Sequence, residues 1–375
     1  MNLAFTQEQD ELRRTVRDFF DKTSPEAEVR RLMDTEEGFD PDVWRRLAGE
    51  LGLAGLAVPE EYGGAGCGFV EVGILLEEAG RALLCAPVLS TVVLAASTLL
   101  GLDDEEACRE YLPGIAAGST VATLALTEPS GRWDAGGVTA TAVRGTRGWT
   151  LDGTKSFVLD GGTASLLLVA ARTDAGISVF AVDGEAPGVR REPQATLDQT
   201  RKQAAITFDS TPARLVGEEG RAWPVLERVL DLAAVAVAAE QAGGAARVLE
   251  MAVEYAKTRV QFGRPIGSFQ AVKHKLADMH IGVESARSAA YHGMWAAAGS
   301  PPDLPEAADL AKSCCGDAFV GAAAENVHIH GGIGVTWEHP AHLYLKRAHS
   351  SQVLFGHAAD HRRRLVQRLL ARPDA

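Results

Sequence analysis

The sequence predicts a mainly α-helical protein with a β domain at its centre, and three observations carry that expectation. The hydrophobic period changes twice along the 375 residues: helical stripes over 1–120, alternation in twos over 121–216, and helical stripes again over 217–375. The punctuation changes with the period, since Gly, Asp and Pro bound short runs in the middle block, while the last block holds long stripes joined by Gly- or Pro-marked turns. Composition allows a large core, with 46% hydrophobic residues, enough for two or three domains. The expected division is a helical N-terminal domain (1–120), a central β domain (121–216) and a C-terminal helical bundle (217–375).

The elements follow in order. Thr6 and Gln9 form a capping box ahead of Leu12, Val16 and Phe19, so a helix starts there. That opening lacks the charged and apolar regions of a signal peptide. Asp40 and Pro41 begin a helix carrying Val43, Trp44, Leu47 and Leu51, and "VPEEYGGAGCG" reads as a glycine-rich loop. Residues 82–102, "ALLCAPVLSTVVLAASTLLGL", are uncharged and long enough to imitate a membrane span. Pro87, the Ser and Thr hydroxyls and the acidic flanks point instead to a buried helix, so no membrane span is expected. Strands are expected at "VTATAV", "GWTLDG", "SLLLVAA", "ISVFAV" and "AAITF". Bundle helices are expected near 224–258, 268–298, 305–329 and 340–370. Between the first two, Gly263, Pro265 and Gly267 break the pattern, and Ser268 can cap a helix carrying Phe269, Val272, Leu276 and Met279.

A formal charge of −13 gives no general basic surface, which excludes nonspecific nucleic-acid binding. Five cysteines without metal spacing suggest a reducing, cytoplasmic setting, with Cys314 and Cys315 packed in a helix. His328, His330, His339, His342, His349 and His357 crowd one region, but no acidic partner pattern accompanies them and no metal site is expected.

The runs "FTQEQDELRRTVRDFF", "LAVPEEYGGAG", "ALTEP", "RVQFGRPIGSFQAVKHKLADM" and "HIHGGIGVT", in this order and spacing, resemble the acyl-CoA dehydrogenases over nearly the whole chain. The resemblance implies an N-terminal helical domain, a β-barrel-like middle domain and a C-terminal four-helix bundle. It also implies FAD as cofactor, an acyl-CoA substrate, an electron-transferring flavoprotein as acceptor, and a homo- or hetero-oligomer, dimer or tetramer. In such proteins the loop between the first two bundle helices reaches a neighbouring subunit's FAD. Arg259 would then meet the diphosphate, Phe262 would pack on the adenine, Gln261 would lie in the same loop, and Gln270 would hydrogen-bond the cofactor. Guanidinium and aromatic groups suit those roles chemically. Gly331 and Gly332 would let backbone N–H groups approach the same diphosphate, with His328 in place of the usual glutamine.

The family's reaction removes an α-proton to a base and a β-hydride to the flavin, and the resemblance implies a glutamate as base in one of two places. Those places hold Phe355 and Ala233, the latter beside Ala234 where an arginine is expected. The flavin cradle departs too: after Thr127 the chain continues through bulky Arg132 and Trp133, and Phe157 and Leu159 stand where a Trp and a hydroxyl residue are expected. The pattern resembles a hetero-oligomeric actinobacterial type in which this subunit completes a catalytic partner's FAD site. Three alternatives stand beside it. Glu240, two helical turns beyond Ala233, could be a relocated base, or simply a buried carboxylate paired with an Arg or His across an interface. The fold could host another flavin oxidation. Or the chain could be a flavin-free scaffold.

Overall fold

The computed structural model describes residues 5–299 and 302–371. Its helices are α1 (Gln7–Thr23), α2 (Glu26–Met33), α3 (Pro41–Arg45), α4 (Phe69–Arg81), α5 (Ala96–Gly101), α6 (Glu105–Ala116), α7 (Trp223–Thr258), α8 (Gln270–Gly299), α9 (Leu304–His330), α10 (Ala341–Val353) and α11 (Ala358–Leu370). Between α6 and α7 run β1 (Ala122–Ala125), β2 (Thr141–Gly145), β3 (Gly148–Leu159), β4 (Leu166–Thr173), β5 (Gly176–Asp183), β6 (Val189–Pro193) and β7 (Gln203–Val216). The fold is mainly α with a central barrel-like β domain and C-terminal helices, as the sequence predicts. By contact the chain divides into two compact units.

One unit comprises the described residues of Met1–Val29, Phe69–Leu84 and Ala234–Ala375. α1 begins at the capping box, with both reciprocal Thr6–Gln9 bonds present. It is tied to α4 by ion pairs, Arg13 to Glu77 at 2.7 Å and Arg17 to Glu78 at 2.7 Å, while Tyr291 of α8 donates to Glu77 at 3.1 Å. Along α7 a row of small residues, Ala236, Ala238, Ala239, Ala242 and Ala245, is wholly buried. Small residues let α4 lie against α7 backbone to backbone: a Cβ on Gly80 would strike the Glu240 carbonyl, and one on Gly243 the Glu77 carbonyl. α7 is long and apolar enough to cross a membrane, but its apolar window is entirely buried in the fold, which marks a core helix.

The other unit comprises Arg30–Gly68 and Cys85–Ala233. Its sheet closes on itself: β4 pairs with β2, β2 with β3, β3 with β7, β7 with β5 and β5 back with β4, while β1 adds parallel to β4 and β6 to β7. Closure removes free edges, and inward-facing Leu167, Val169, Phe180, Ile206 and Phe208 fill the interior. The uncharged run at 82–102 yields a π-helical stretch, Val88–Ala95, continued by α5, and every residue of Val88–Ala95 is buried.

Three details correct the sequence reading. The helix expected near 340–370 is two helices, α10 and α11, because Phe355 and Gly356 both take positive φ, +60° and +109°. Ser268 does not cap α8: it ends a 3₁₀ turn, Ile266–Ser268, and its hydroxyl is buried without a hydrogen-bond partner. Two strands, β1 and β6, lie outside the runs read as strands. β1 is buried at all four positions and β6 is mostly exposed and charged, so neither alternates.

Candidate functional site

Three groups of residues emerge, and positive φ marks each. Among the described residues only seven besides glycine have it, and Phe157, Phe262 and Phe355 are three of them. A bulky side chain in that conformation is strained by roughly 1–2 kcal/mol. Such strain gathers where function or tight packing holds it.

The first group stands at one end of the helical bundle. Strands Val260–Gln261 and Arg264–Pro265 make a minimal hairpin whose two central residues, Phe262 and Gly263, have φ of +53° and +75°. This is the signature of a type I′ turn, which normally selects Asn-Gly. Phe262 is 90% exposed, its ring meeting only the edge of Phe269 at 6.1 Å. Arg259, Gln261 and Gln270 are exposed as well, and Arg264 stacks over Phe269 at 4.2 Å. At the end of α9, His328 is exposed beside Glu325, and Gly331 has φ +64° with ψ −138°, a conformation that only glycine adopts without strain.

A residue weighed only as a metal ligand in the sequence joins these pieces. His330 is buried, stacked on Tyr255 of α7 at 4.3 Å and against His339 at 4.2 Å. Its Nδ1–H donates to the Asn326 carbonyl at 2.8 Å, and burial lowers its pKa, so the ring is neutral near pH 7. The Tyr255 carbonyl in turn accepts the Arg259 N–H at 2.8 Å. Nothing in the sequence signalled this contact, because a stacking partner far along the chain leaves no local pattern. His339 Nδ1 accepts the N–H of Ala341, and His342 stands apart, stacked on Trp337 at 4.7 Å.

The second group concerns the two positions, Phe355 and Ala233, at which the family resemblance leads one to expect a glutamate. Ala233 is fully buried, and Phe355 is 5% exposed. The Phe355–Gly356 turn is held from two sides. Lys312 of α9, fully buried, donates to the carbonyls of Gln352 at 2.9 Å and Gly356 at 3.2 Å, and burial pulls its pKa down to about 8. His361 Nε2–H donates to the Phe355 carbonyl at 3.2 Å, while its Nδ1 lies 2.9 Å from the sealed carboxylate of Asp309. Glu240 is buried and bound by Arg347 of α10, also buried, so its partner belongs to the same chain and not to a neighbour as the sequence suggested.

The third group belongs to the β unit. Glu128, next to Thr127, accepts the N–H groups of Thr139 at 2.8 Å and Ala140 at 2.9 Å, the Thr139 hydroxyl, and the Lys155 ammonium at 2.7 Å. Burial opposes its charge, but these donors prevail and hold the carboxyl at about 2, whereas burial prevails for Lys155 and brings it to about 8. The ammonium has only one carbonyl, Leu126, besides the carboxylate. Thr127 is buried and its carbonyl accepts the Ser156 N–H at 2.9 Å, which sets it beside the bulge between Lys155 and Val158. Within that bulge Phe157 is half-exposed and its N–H is taken by the side chain of Gln194 at 2.8 Å. Leu159 is buried.

The chain matches the acyl-CoA dehydrogenase N-terminal domain over residues 6–119, the middle domain over 123–211 and the C-terminal domain over 220–370. This chain belongs to the acyl-CoA dehydrogenase family. Members of this oxidoreductase family bind FAD. The chain is 36% identical to acyl-CoA dehydrogenase IpdE2 of Mycolicibacterium smegmatis over 96% of this chain and 98% of that one. It is similar to a chain of the ChsE4–ChsE5 complex from Mycobacterium tuberculosis, 32% identical with a TM-score of 0.91 and full coverage of both, 100% each. It is also similar to the Tcur3481–Tcur3483 steroid ACAD, 35% identical over 97% and 98% of the two chains, with a TM-score of 0.87. For an acyl-CoA dehydrogenase, the side chains at Phe355 and Ala233 offer no proton acceptor.

Proposed function

We propose that this acyl-CoA dehydrogenase family chain is the assisting subunit of a hetero-oligomeric, FAD-dependent enzyme that desaturates an acyl-CoA between its α and β carbons. The observation that carries the reading is Phe355, an apolar side chain locked in a strained, doubly supported turn where a glutamate base is expected. The residues fit FAD unevenly. At the bundle end, Arg259, Gln261, Phe262, Gln270 and His328 are exposed and Gly331 and Gly332 leave their backbone open, a donor set suited to a diphosphate and an adenine of a neighbouring subunit's cofactor. In the β unit the fit is poor: the Phe157 N–H is already bonded to Gln194, and Leu159 brings no hydroxyl.

FAD, when bound, supplies the hydride acceptor. The partner would supply the carboxylate that takes the α-proton, while this chain holds the far end of the partner's cofactor. Electron-transferring flavoprotein as the acceptor and a cytoplasmic setting belong to the same proposal. Because one relative is named for steroids, a bulky ring-bearing acyl-CoA is the first substrate to try.

The test is co-expression with candidate partner subunits, then flavin per protomer and acyl-CoA dehydrogenation by the chain alone and by the complex. The expected result is negligible turnover alone and turnover with a partner that carries the glutamate, since general-base help is worth about 10²–10⁴-fold. Robust turnover by the chain alone sinks the proposal, and its loss in Glu240→Gln would assign the base to Glu240 instead. Absence of flavin from every assembly would favour the scaffold reading.

A further inference from the structure

We infer that His330 is a positioning residue: its stack with Tyr255 and His339 fixes the exposed hairpin at Phe262 and the glycine loop at Gly331 to one base, so that both can meet the same diphosphate-bearing ligand. This rests on the cofactor reading above and deepens it.

The contacts form one line through three elements. Tyr255 lies on the last turns of α7, and its carbonyl accepts the Arg259 N–H that starts the hairpin. His330 is the last residue of α9, immediately before Gly331. His339 lies just ahead of α10 and receives the Ala341 N–H on its Nδ1. The His330–His339 contact at 4.2 Å therefore closes the base of the loop 331–338, whose Val335 and Trp337 are 71% and 55% exposed. The Tyr255–His330 contact, at 4.3 Å and 27° between planes, ties that base to the hairpin. Trp337 anchors the far side of its loop on His342 and under Lys346, both at 4.7 Å, and the Tyr255–His330–His339 stack is the contact that runs from the base of that loop to the hairpin.

The imidazole does more than fill space. The Asn326 carbonyl can only accept, so Nδ1 carries the proton, and that bond fixes the ring plane on which Tyr255 lies. Phenylalanine at 330 keeps a flat ring to stack but loses the bond that orients it, while leucine loses both.

The experiment uses the full chain in its native assembly, with FAD as the titrated probe, and compares His330→Leu, His330→Phe and Arg259→Ala. A second readout needs no cofactor: the 19F resonance of 5-fluorotryptophan at Trp337, assigned by Trp337→Phe. His330→Leu is expected to shift or broaden that resonance and to weaken FAD binding about three- to tenfold, the weight of one aromatic pair. His330→Phe should restore both most of the way. An unmoved Trp337 resonance together with unchanged FAD affinity in His330→Leu overturns the inference, and so does a loss that phenylalanine does not recover at all. If Arg259→Ala keeps full affinity, or the wild-type assembly takes up no FAD, the cofactor reading is what fails; the Trp337 resonance still decides whether His330 sets the loop.

Discussion

Arg347 of α10 closes on Glu240 of α7 in the interior of the helical unit, and both side chains are all but sealed from solvent. A buried pair of this kind is costly to break and cheap to replace. Glu240→Gln should lower stability by about 3–5 kcal/mol by removing the negative charge that faces the buried guanidinium, whereas Glu240→Leu with Arg347→Met should recover most of the loss. Urea midpoints of the three proteins decide it. A near-neutral Glu240→Gln would mean that the pair is open in solution, and would revive Glu240 as a base.

Strain at Phe262 separates stability from function. The φ of +53° suits glycine, and the ring is 90% exposed, so the fold gains little from the phenyl group. Phe262→Gly is expected to leave thermal stability unchanged or raise it by up to about 1 kcal/mol. The same change should loosen FAD in the assembled oligomer. A clear drop in melting temperature would show that the ring supports the chain's own fold.

Charge holds the barrel at Glu128. Glu128→Gln leaves the Lys155 ammonium buried beside a neutral amide, with an expected loss of about 3–5 kcal/mol. In the wild type the folded pKa, about 2, lies below the ordinary glutamate value of 4.5. Its contribution is therefore complete above 4.5 and is lost as pH falls toward 2. Acid unfolding of Glu128→Gln should lack that component; an identical acid profile contradicts the assignment.

Two buried histidines shape the neutral range. Burial lowers the pKa of both His330 and His361 below the ordinary 6.5, so the unfolded chain takes up protons first as pH drops. The contribution of these two rings is thus full above 6.5 and declines as pH falls through the lowered folded values. The groups around His361 are Asp309, Arg364 and Lys312. The denaturation midpoint should fall as pH drops below 6.5, with a shallower fall in His330→Phe. A midpoint that stays flat through that drop rejects the argument.

What was legible in the sequence was local. Thr6 and Gln9 announce α1 because a capping box involves four consecutive residues, and β4 and β5 announce themselves through short apolar runs closed by turns. β1 gave no alternation because both of its faces are covered, and β6 none because it is mostly exposed. The α10–α11 break carries only Gly356 as a mark, since phenylalanine at φ +60° is not what a turn reader expects. At the candidate site, Arg259, Phe262 and Gly331 could be picked out because the runs that hold them resemble those of a known family, in which their residue types suit a diphosphate and an adenine. His330 could not, nor could Arg347 as the partner of Glu240, because each depends on a residue brought near by folding.

The helical unit is assembled from three separate stretches of chain, with α1 and α4 supplied early and α7–α11 last. During synthesis, α1 and α4 therefore emerge with the apolar faces that α7 and α8 later cover still open, and Glu77 without its Tyr291 partner, and wait for the remaining helices. At about 5–20 residues per second that wait lasts roughly 15–60 s, long enough for the barrel unit to fold first. Early helices kept waiting are the part of this protein most exposed to chaperones and to aggregation, and a truncation ending at Ala233 should yield a folded barrel unit with α1 and α4 left as sticky segments.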